Sequence, residues 1–360
     1  MTFDTIKKLY APVTSGYYIP IQITNTQNTG TPSPFQFMLN ISPADIGTSL
    51  FSSDLGNIRF YGYAMNSLTP LYAWLESGNS PSSSNTVIWV NLPNGIPANS
   101  STTIYMVLLP VGTEYDGNYM GLAPQLSSTY AQYDNGALVF NNYWNFAGTS
   151  LPSGWVSSPS SDVTVTVNNG VSVTQIVAGT GAYGREGISL NTASSGTYIV
   201  DAYMAENGND NGGGLALQNA EASSLTSSSS YTSIFLIYSY PSSLTWYFSY
   251  QNPSGTQNNP TSGSFTAGTY YIASLLISGS NASAQVNYGS TANFGSETGY
   301  TNTGYISFVP STATAGTNSQ ISAYWIRERT YVPSMPTYSI GSTLYEVLPT
   351  GSYYTNTTPL

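Results

Sequence analysis

The stretch Asn57–Pro110, NIRFYGYAMNSLTPLYAWLESGNSPSSSNTVIWVNLPNGIPANSSTTIYMVLLP, decides the fold class. Three runs in it are apolar or alternating: Ile58–Tyr63, Thr86–Val90 and Thr102–Leu109. The segments Ser77–Asn85 and Leu92–Ser101 between them are rich in turn residues. In the last run Ile104, Met106 and Leu108 point one way, and Thr103, Tyr105 and Val107 the other. A period of two marks strands, because successive strand side chains leave on opposite faces. Asn94-Gly95-Ile96-Pro97 reads as a turn, since Gly accepts positive φ and Pro fixes φ and lacks a donor. The stretch predicts antiparallel sheet and carries no evident catalytic chemistry.

Composition extends this to the whole chain. A length of 360 residues suits about two domains, each able to bury a core. Only 6% of residues are charged, against a typical ~25%. Polarity comes from Ser, Thr, Asn, Gln, Gly and 31 Tyr, and the 14% aromatic content is the opposite of a disorder signature. The charged helix formers Glu, Lys and Arg are scarce. The expectation is all-β: two β-sandwich domains, the second a jelly roll.

The formal charge is −10, from 16 carboxylates and six Lys or Arg. Six cations make no strong nucleic-acid footprint, which needs clustered Lys and Arg. Such a skin fits an acidic, external setting, because below pH ~3 most carboxylates are neutral. The plainer alternative is that Tyr/Asn/Ser/Thr-rich β-proteins are simply low in charge. His is absent, so no side chain with an ordinary pKa near neutrality titrates. Cys is absent too, which removes disulfides, thiolate metal sites and Cys nucleophiles.

The opening MTFDTIKKLYAPVTSG has no apolar run after Lys7 and Lys8, so it does not read as a signal peptide. No 18-residue apolar run predicts a membrane span. A surface-like composition without an export signal leaves three explanations. They are a processed or recombinant start, an unrecognised export route, or a virion protein assembled inside the cell.

Along the chain, residues 1–15 read as an arm. Tyr17–Thr24 is a strand in which Pro20 suits an edge or a strand start, and Phe35–Ile41 places Phe35, Phe37, Leu39 and Ile41 on one face. Pro110–Ser127 is loop-like, and the first sandwich is expected over 16–135. Strands at Val163–Val167, Gly170–Ile176, Thr197–Ala205, Gly214–Gln218, Tyr231–Tyr238, Leu244–Tyr250, Thr269–Ile277, Ala282–Asn287, Gly304–Val309 and Ile321–Arg329 predict a jelly roll over 136–341. Residues 342–360 read as a tail that carries a candidate strand at Thr343–Val347.

The pieces Ile58–Tyr61, Leu71–Ser77, Val87–Pro93 and Ile96–Met106 resemble an uncharacterised family of β-domains of archaeal and bacterial surface proteins, over roughly residues 15–145. Ile321–Gly341 resembles the closing strand of concanavalin A-like lectin/glucanase domains. The resemblance implies this pairing of domains, as in archaeal surface and virus proteins. The first family has no agreed catalytic residues to carry over.

Four kinds of site are candidates. In Glu206–Gly214 (ENGNDNGGG), Asn207, Asn209, Asn211 and Gly212 follow the spacing of a calcium loop in outline, with Asp210 and Glu206 adding charge. Gln218 stands where the bidentate Glu belongs, so calcium is a weak candidate, and a hairpin loop is the alternative. No other cofactor is expected. A glycosidase needs two carboxylates flanking the scissile bond, whereas Glu186, Asp201, Glu206, Asp210, Glu297 and Glu328 are dispersed singles. Tyr238, Tyr240, Tyr247 and Tyr250 are candidates for glycan contact, because sugars stack on exposed aromatics. Against this, Trp246 and Phe248 read as core and the tyrosines as surface or interface. Sequons at Asn40, Asn99, Asn281 and Asn356 are candidate glycosylation sites.

The sequence therefore predicts a non-enzymatic extracellular structural or attachment protein. The favoured form is an archaeal virion surface component such as a tail fibre, spike or turret, oligomeric, touching host glycans or proteins. A cell-surface filament subunit, with the 1–15 arm as strand donor, is the runner-up. A glycan-processing enzyme is third.

Overall fold

The computed structural model describes residues 15–64, 67–176, 186–206, 213–225, 234–240, 245–252, 255–264, 266–278, 281–294, 303–310, 318–347 and 356–359. Their regular structure is almost entirely strand, and the two α-helices among them, Pro43–Ile46 and Gly136–Val139, are single turns. The chain divides into two compact units, Met1–Phe140 with Val332–Leu360, and Asn141–Tyr331.

This division differs from the expected 16–135, 136–341 and tail. Residues 332–360 belong with the first unit, because Ile21–Thr24 pairs with Thr337–Ile340 and Gly16–Tyr18 with Thr343–Val347. Leu344 is buried in the first unit's core, and Tyr345 stacks on Tyr18 at 5.0 Å. The expected closing strand of the second unit ends at Thr330, shortly before Pro333 and Pro336. Proline supplies no ladder donor, so pairing stops there.

The first unit has a seven-stranded and a four-stranded sheet among its described residues. Ile19, Ile21, Ile23, Ile58, Phe60, Ile104, Met106 and Leu108 of one sheet share a core with Phe35, Phe37, Leu39, Ile41, Ala73, Leu75, Ile88 and Val90 of the other. The alternation of Ile104, Met106 and Leu108 is therefore the inward face of Ser100–Leu108. The strand Gly16–Asn25 is interior, flanked by Ser100–Leu108 on one side and the C-terminal strands on the other. Pro20 is tolerated because it lies at the break between those C-terminal strands, where its carbonyl accepts from the Gly341 N–H at 2.8 Å. Leu71–Ser77 is a corner: Ser67–Leu71 pairs in the larger sheet and Ala73–Ser77 in the smaller. Gly95 has φ +59, and a Cβ there would lie 2.4 Å from the Pro32 carbonyl oxygen, so the turn requires glycine.

The second unit has two eight-stranded sheets among its described residues. Val200, Ala202, Met204, Ala273, Leu275, Ile277, Ile321 and Ile326 from one sheet pack with Leu215, Leu217, Trp246, Phe248, Ile306 and Phe308 from the other. Burying each large side chain contributes about 1.5–3 kcal/mol. The strands Tyr198–Glu206 and Gly213–Gln218 lie in different sheets and do not pair with each other. Gly255–Ser264 (GTQNNPTSGS) pairs with Thr245–Asn252 although nothing in its polar sequence alternates.

Candidate glycan-contact face

The calcium-loop candidates Asn207, Asn209, Asp210 and Asn211 lie outside the described residues. Among the described residues, no group of three or more His, Cys, Asp or Glu is placed to hold a metal ion. No helix among them is long and apolar enough to cross a membrane. Asn40, Asn99 and Asn281 are exposed, and Asn99 adopts φ 48, a left-handed conformation that Asn tolerates. Asn356 lies in the terminal strand Asn356–Pro359, its side chain outside the described residues.

The four candidate tyrosines do not share one alternate series. Tyr238 stands opposite Tyr247 and Tyr240 opposite Thr245, whereas Tyr250 stands opposite Phe235. Tyr250 therefore falls in the series of Trp246 and Phe248, both fully buried core residues. Tyr247 is half-buried, and the side chains of Tyr238, Tyr240 and Tyr250 lie outside the described residues.

A different constellation forms on the opposite sheet. In Asn318–Thr330, Ile321 and Ala323 face the core, so Gln320 and Ser322 face outward. Between Tyr203 and Met204 the register of the neighbouring strand shifts, so that Tyr203 pairs with Trp325 and Met204 with Ala323. Tyr324 is the extra residue of this β-bulge, and the bulge turns both Tyr324 and Trp325 toward Tyr203. Tyr203 stacks on Tyr324 at 6.1 Å and on Trp325 at 5.7 Å, and Tyr270 stacks on Tyr324 at 4.4 Å. Gly170 lies beside Tyr324, where a Cβ would sit 3.5 Å from the ring. Burial, and then the neighbouring Tyr324, push the Tyr270 phenol above its ordinary pKa, so it stays a protonated donor.

Beside this row, one alternate position along the strands, lies a buried ion triad. Arg327 and Arg329 each donate from Nε to Asp201 Oδ2 at 2.8 Å, and Ser274 Oγ donates to Asp201 Oδ1 at 2.7 Å. Arg327 Nη2 donates to the Tyr288 hydroxyl at 2.7 Å, and its guanidinium lies 4.6 Å from the Trp325 ring centroid. Burial alone would raise the Asp201 pKa, but Arg329 and Arg327 overrule it and hold the carboxyl down to about 2. Asp201 is thus a fixed anion that anchors two cations and, through them, the aromatic row.

At the other end the face is hydroxyl and amide. Thr164, Thr174 and Gln320 occupy one cross-strand row, and Thr166, Ser172 and Ser322 the next. Gln320 Nε2 donates to Thr174 Oγ1 at 3.2 Å, and Ser322 Oγ donates to Ser172 Oγ at 3.2 Å. Thr164 and Thr166 are exposed, while Ser172, Thr174, Gln320, Ser322, Tyr203, Tyr270 and Tyr324 are half-buried. None of these nine side chains carries a charge.

Two other described carboxylates of this unit accept hydrogen bonds from neutral side chains, with Asp162 near Glu186. Buried Glu186 accepts from Gln175 Nε2 at 3.0 Å, and burial raises its pKa. Glu328 accepts from Asn142 Nδ2 at 3.3 Å and Ser194 Oγ at 3.5 Å, and burial raises it too. Sequence reasoning missed the tyrosine row because Tyr203, Tyr270 and Tyr324 come from three distant segments. The only local signal was the adjacent pair Tyr324-Trp325.

No family model matches the chain, so the likeness to a surface β-domain family over 15–145 gains no support there. Uncharacterized protein 562 of Sulfolobus islandicus rod-shaped virus 1 is 43% identical over 125 residues, 35% of this chain. The match spans about a fifth of that relative's length. Among solved structures, the LamA catalytic domain of Zobellia galactanivorans is 9% identical, with TM-score 0.38, covering 53% of this chain and 97% of that one. The β-glucanase of Bacillus licheniformis is 9% identical, with TM-score 0.37, covering 53% and 98%. The Emp47p carbohydrate recognition domain is 8% identical, with TM-score 0.34, covering 52% and 93%.

Proposed function

We propose that the protein is a non-enzymatic structural or attachment component of a virion surface, in the manner of a fibre, spike or turret, that touches glycans of a host envelope. The observation that carries this reading is the uncharged tyrosine and hydroxyl face of the second unit. Tyrosine offers large contact area at low entropic cost, and Ser, Thr and Gln supply adaptable hydrogen bonds. The partial relative from a rod-shaped virus supports the virion setting. The commitment of Asp201 to two arginines, and of Glu328 to Asn142 and Ser194, supports a binding role over a hydrolytic one. Each contact is weak, and repetition in an oligomer supplies avidity. Antibodies against the purified chain test the reading on intact particles of the virus that encodes it. Labelling of the particle surface is expected. Particles that lack the chain throughout would refute the virion assignment.

A further inference from the structure

We infer that the outer face built by Thr164, Thr166, Thr174, Gln320, Ser322 and Tyr324 is the ligand site, and that its ligand is a neutral polysaccharide, not an anionic one. This rests on the proposed reading that the second unit contacts glycans.

Three observations point to this ligand class. An anionic sugar is recognised by a cation that can reach it, usually Arg or Lys in a bidentate pair. The cations of this sheet, Arg327 and Arg329, are buried and turned onto Asp201 and Tyr288. The whole chain also carries a formal −10 charge, which repels polyanions at neutral pH. What the face does offer is matched donors and acceptors. Hydroxyls and an amide stand in cross-strand rows, with strands about 4.8 Å apart, the scale of one pyranose unit. A glycan laid across the strands meets one such group per strand, and Tyr324, two residues along the strand that carries Ser322, flanks the rows with a ring held by Tyr270 and Tyr203 before any ligand arrives. That pre-organisation lowers the ordering cost of binding.

The test is binding of the full chain, by glycan array and then calorimetry, to neutral hexose polymers and to sialylated, uronate and sulfated ones. Three variants are compared: Tyr324→Ala, the exposed pair Thr164→Val with Thr166→Val, and Tyr247→Ala on the other sheet. The expected result is binding to neutral polymers that weakens about tenfold in Tyr324→Ala and in the threonine pair, and is unchanged in Tyr247→Ala. The threonine pair keeps the test valid if Tyr324→Ala fails to fold. Neutral-glycan binding lost only in Tyr247→Ala would overturn the site and leave glycan contact standing. Binding confined to anionic polymers would overturn the ligand class. Binding to no glycan at all would overturn the underlying reading.

Discussion

Arg327 and Asp201 face each other in register on adjacent strands, with Nε 2.8 Å from Oδ2 and both side chains fully buried. Arg329 meets the same oxygen at 2.8 Å. A buried carboxylate balanced by two guanidiniums is stable only as a set, because removing one partner leaves an uncompensated charge.

Asp201→Asn is therefore expected to destabilise the second unit by about 3–5 kcal/mol, since two buried cations lose their anion. Denaturant unfolding measures this. A change below about 1 kcal/mol would mean that water reaches the triad and screens it.

The pH dependence follows from groups of opposite sign. The Asp201 pKa is depressed to about 2, against ~3.9 unfolded, so its contribution is full above pH ~4 and is lost as pH falls through about 2. Glu186 and Glu328 are raised by burial, so the folded state holds their protons more tightly than the unfolded chain does. Their contribution is present below the unfolded value of ~4.3 and lost as pH rises through the folded values. Around Glu186, Gln175 and Ser160 hydrogen bonds oppose the shift and Asp162 adds to it. Melting temperature is expected to rise from pH 7 to pH ~4 and then to fall as pH drops from ~4 through about 2. Glu186→Gln should flatten the upper part of that curve. A melting temperature higher at pH 7 than at pH 4 would contradict the assignment.

Trp246 and Phe248 are fully buried in the second unit's core. Phe248→Ala is expected to cost about 3–5 kcal/mol through lost transfer energy and the cavity left behind. Tyr247→Ala, on the intervening half-buried position, is expected to cost far less. Thermal denaturation of the two variants checks the alternation directly.

Deleting residues 332–360 is expected to expose the edge of Gly16–Asn25 and so promote aggregation, because that strand loses both C-terminal partners. Light scattering of the shortened chain on heating reads this. A chain that stays as soluble as the full-length protein would show that the pairing is dispensable.

Much of this architecture was legible because strands announce themselves locally. Phe35–Ile41 alternates large apolar residues with Gln36, Met38 and Asn40, and its predicted bounds are its observed bounds. Gly255–Ser264 had no such signal, since its pairing depends on the neighbouring Thr245–Asn252 and not on its own side chains. The return of Thr337–Val347 to Gly16–Asn25 joins residues about 320 apart, which local periodicity does not encode. The site was the least legible part. Tyr324 and Trp325 would point to opposite faces in a regular strand, and only the bulge opposite Tyr203 and Met204 brings both to the same ring.

The proposal that this is a binding protein without hydrolytic activity is tested most directly by following the ligand. The full chain is incubated with a neutral oligosaccharide that it retains, and the sugar is recovered and weighed by mass spectrometry. The expected outcome is retention on the protein with the sugar's mass unchanged after prolonged incubation. Shortened products that disappear when Glu186 or Glu328 is replaced by its amide would contradict it.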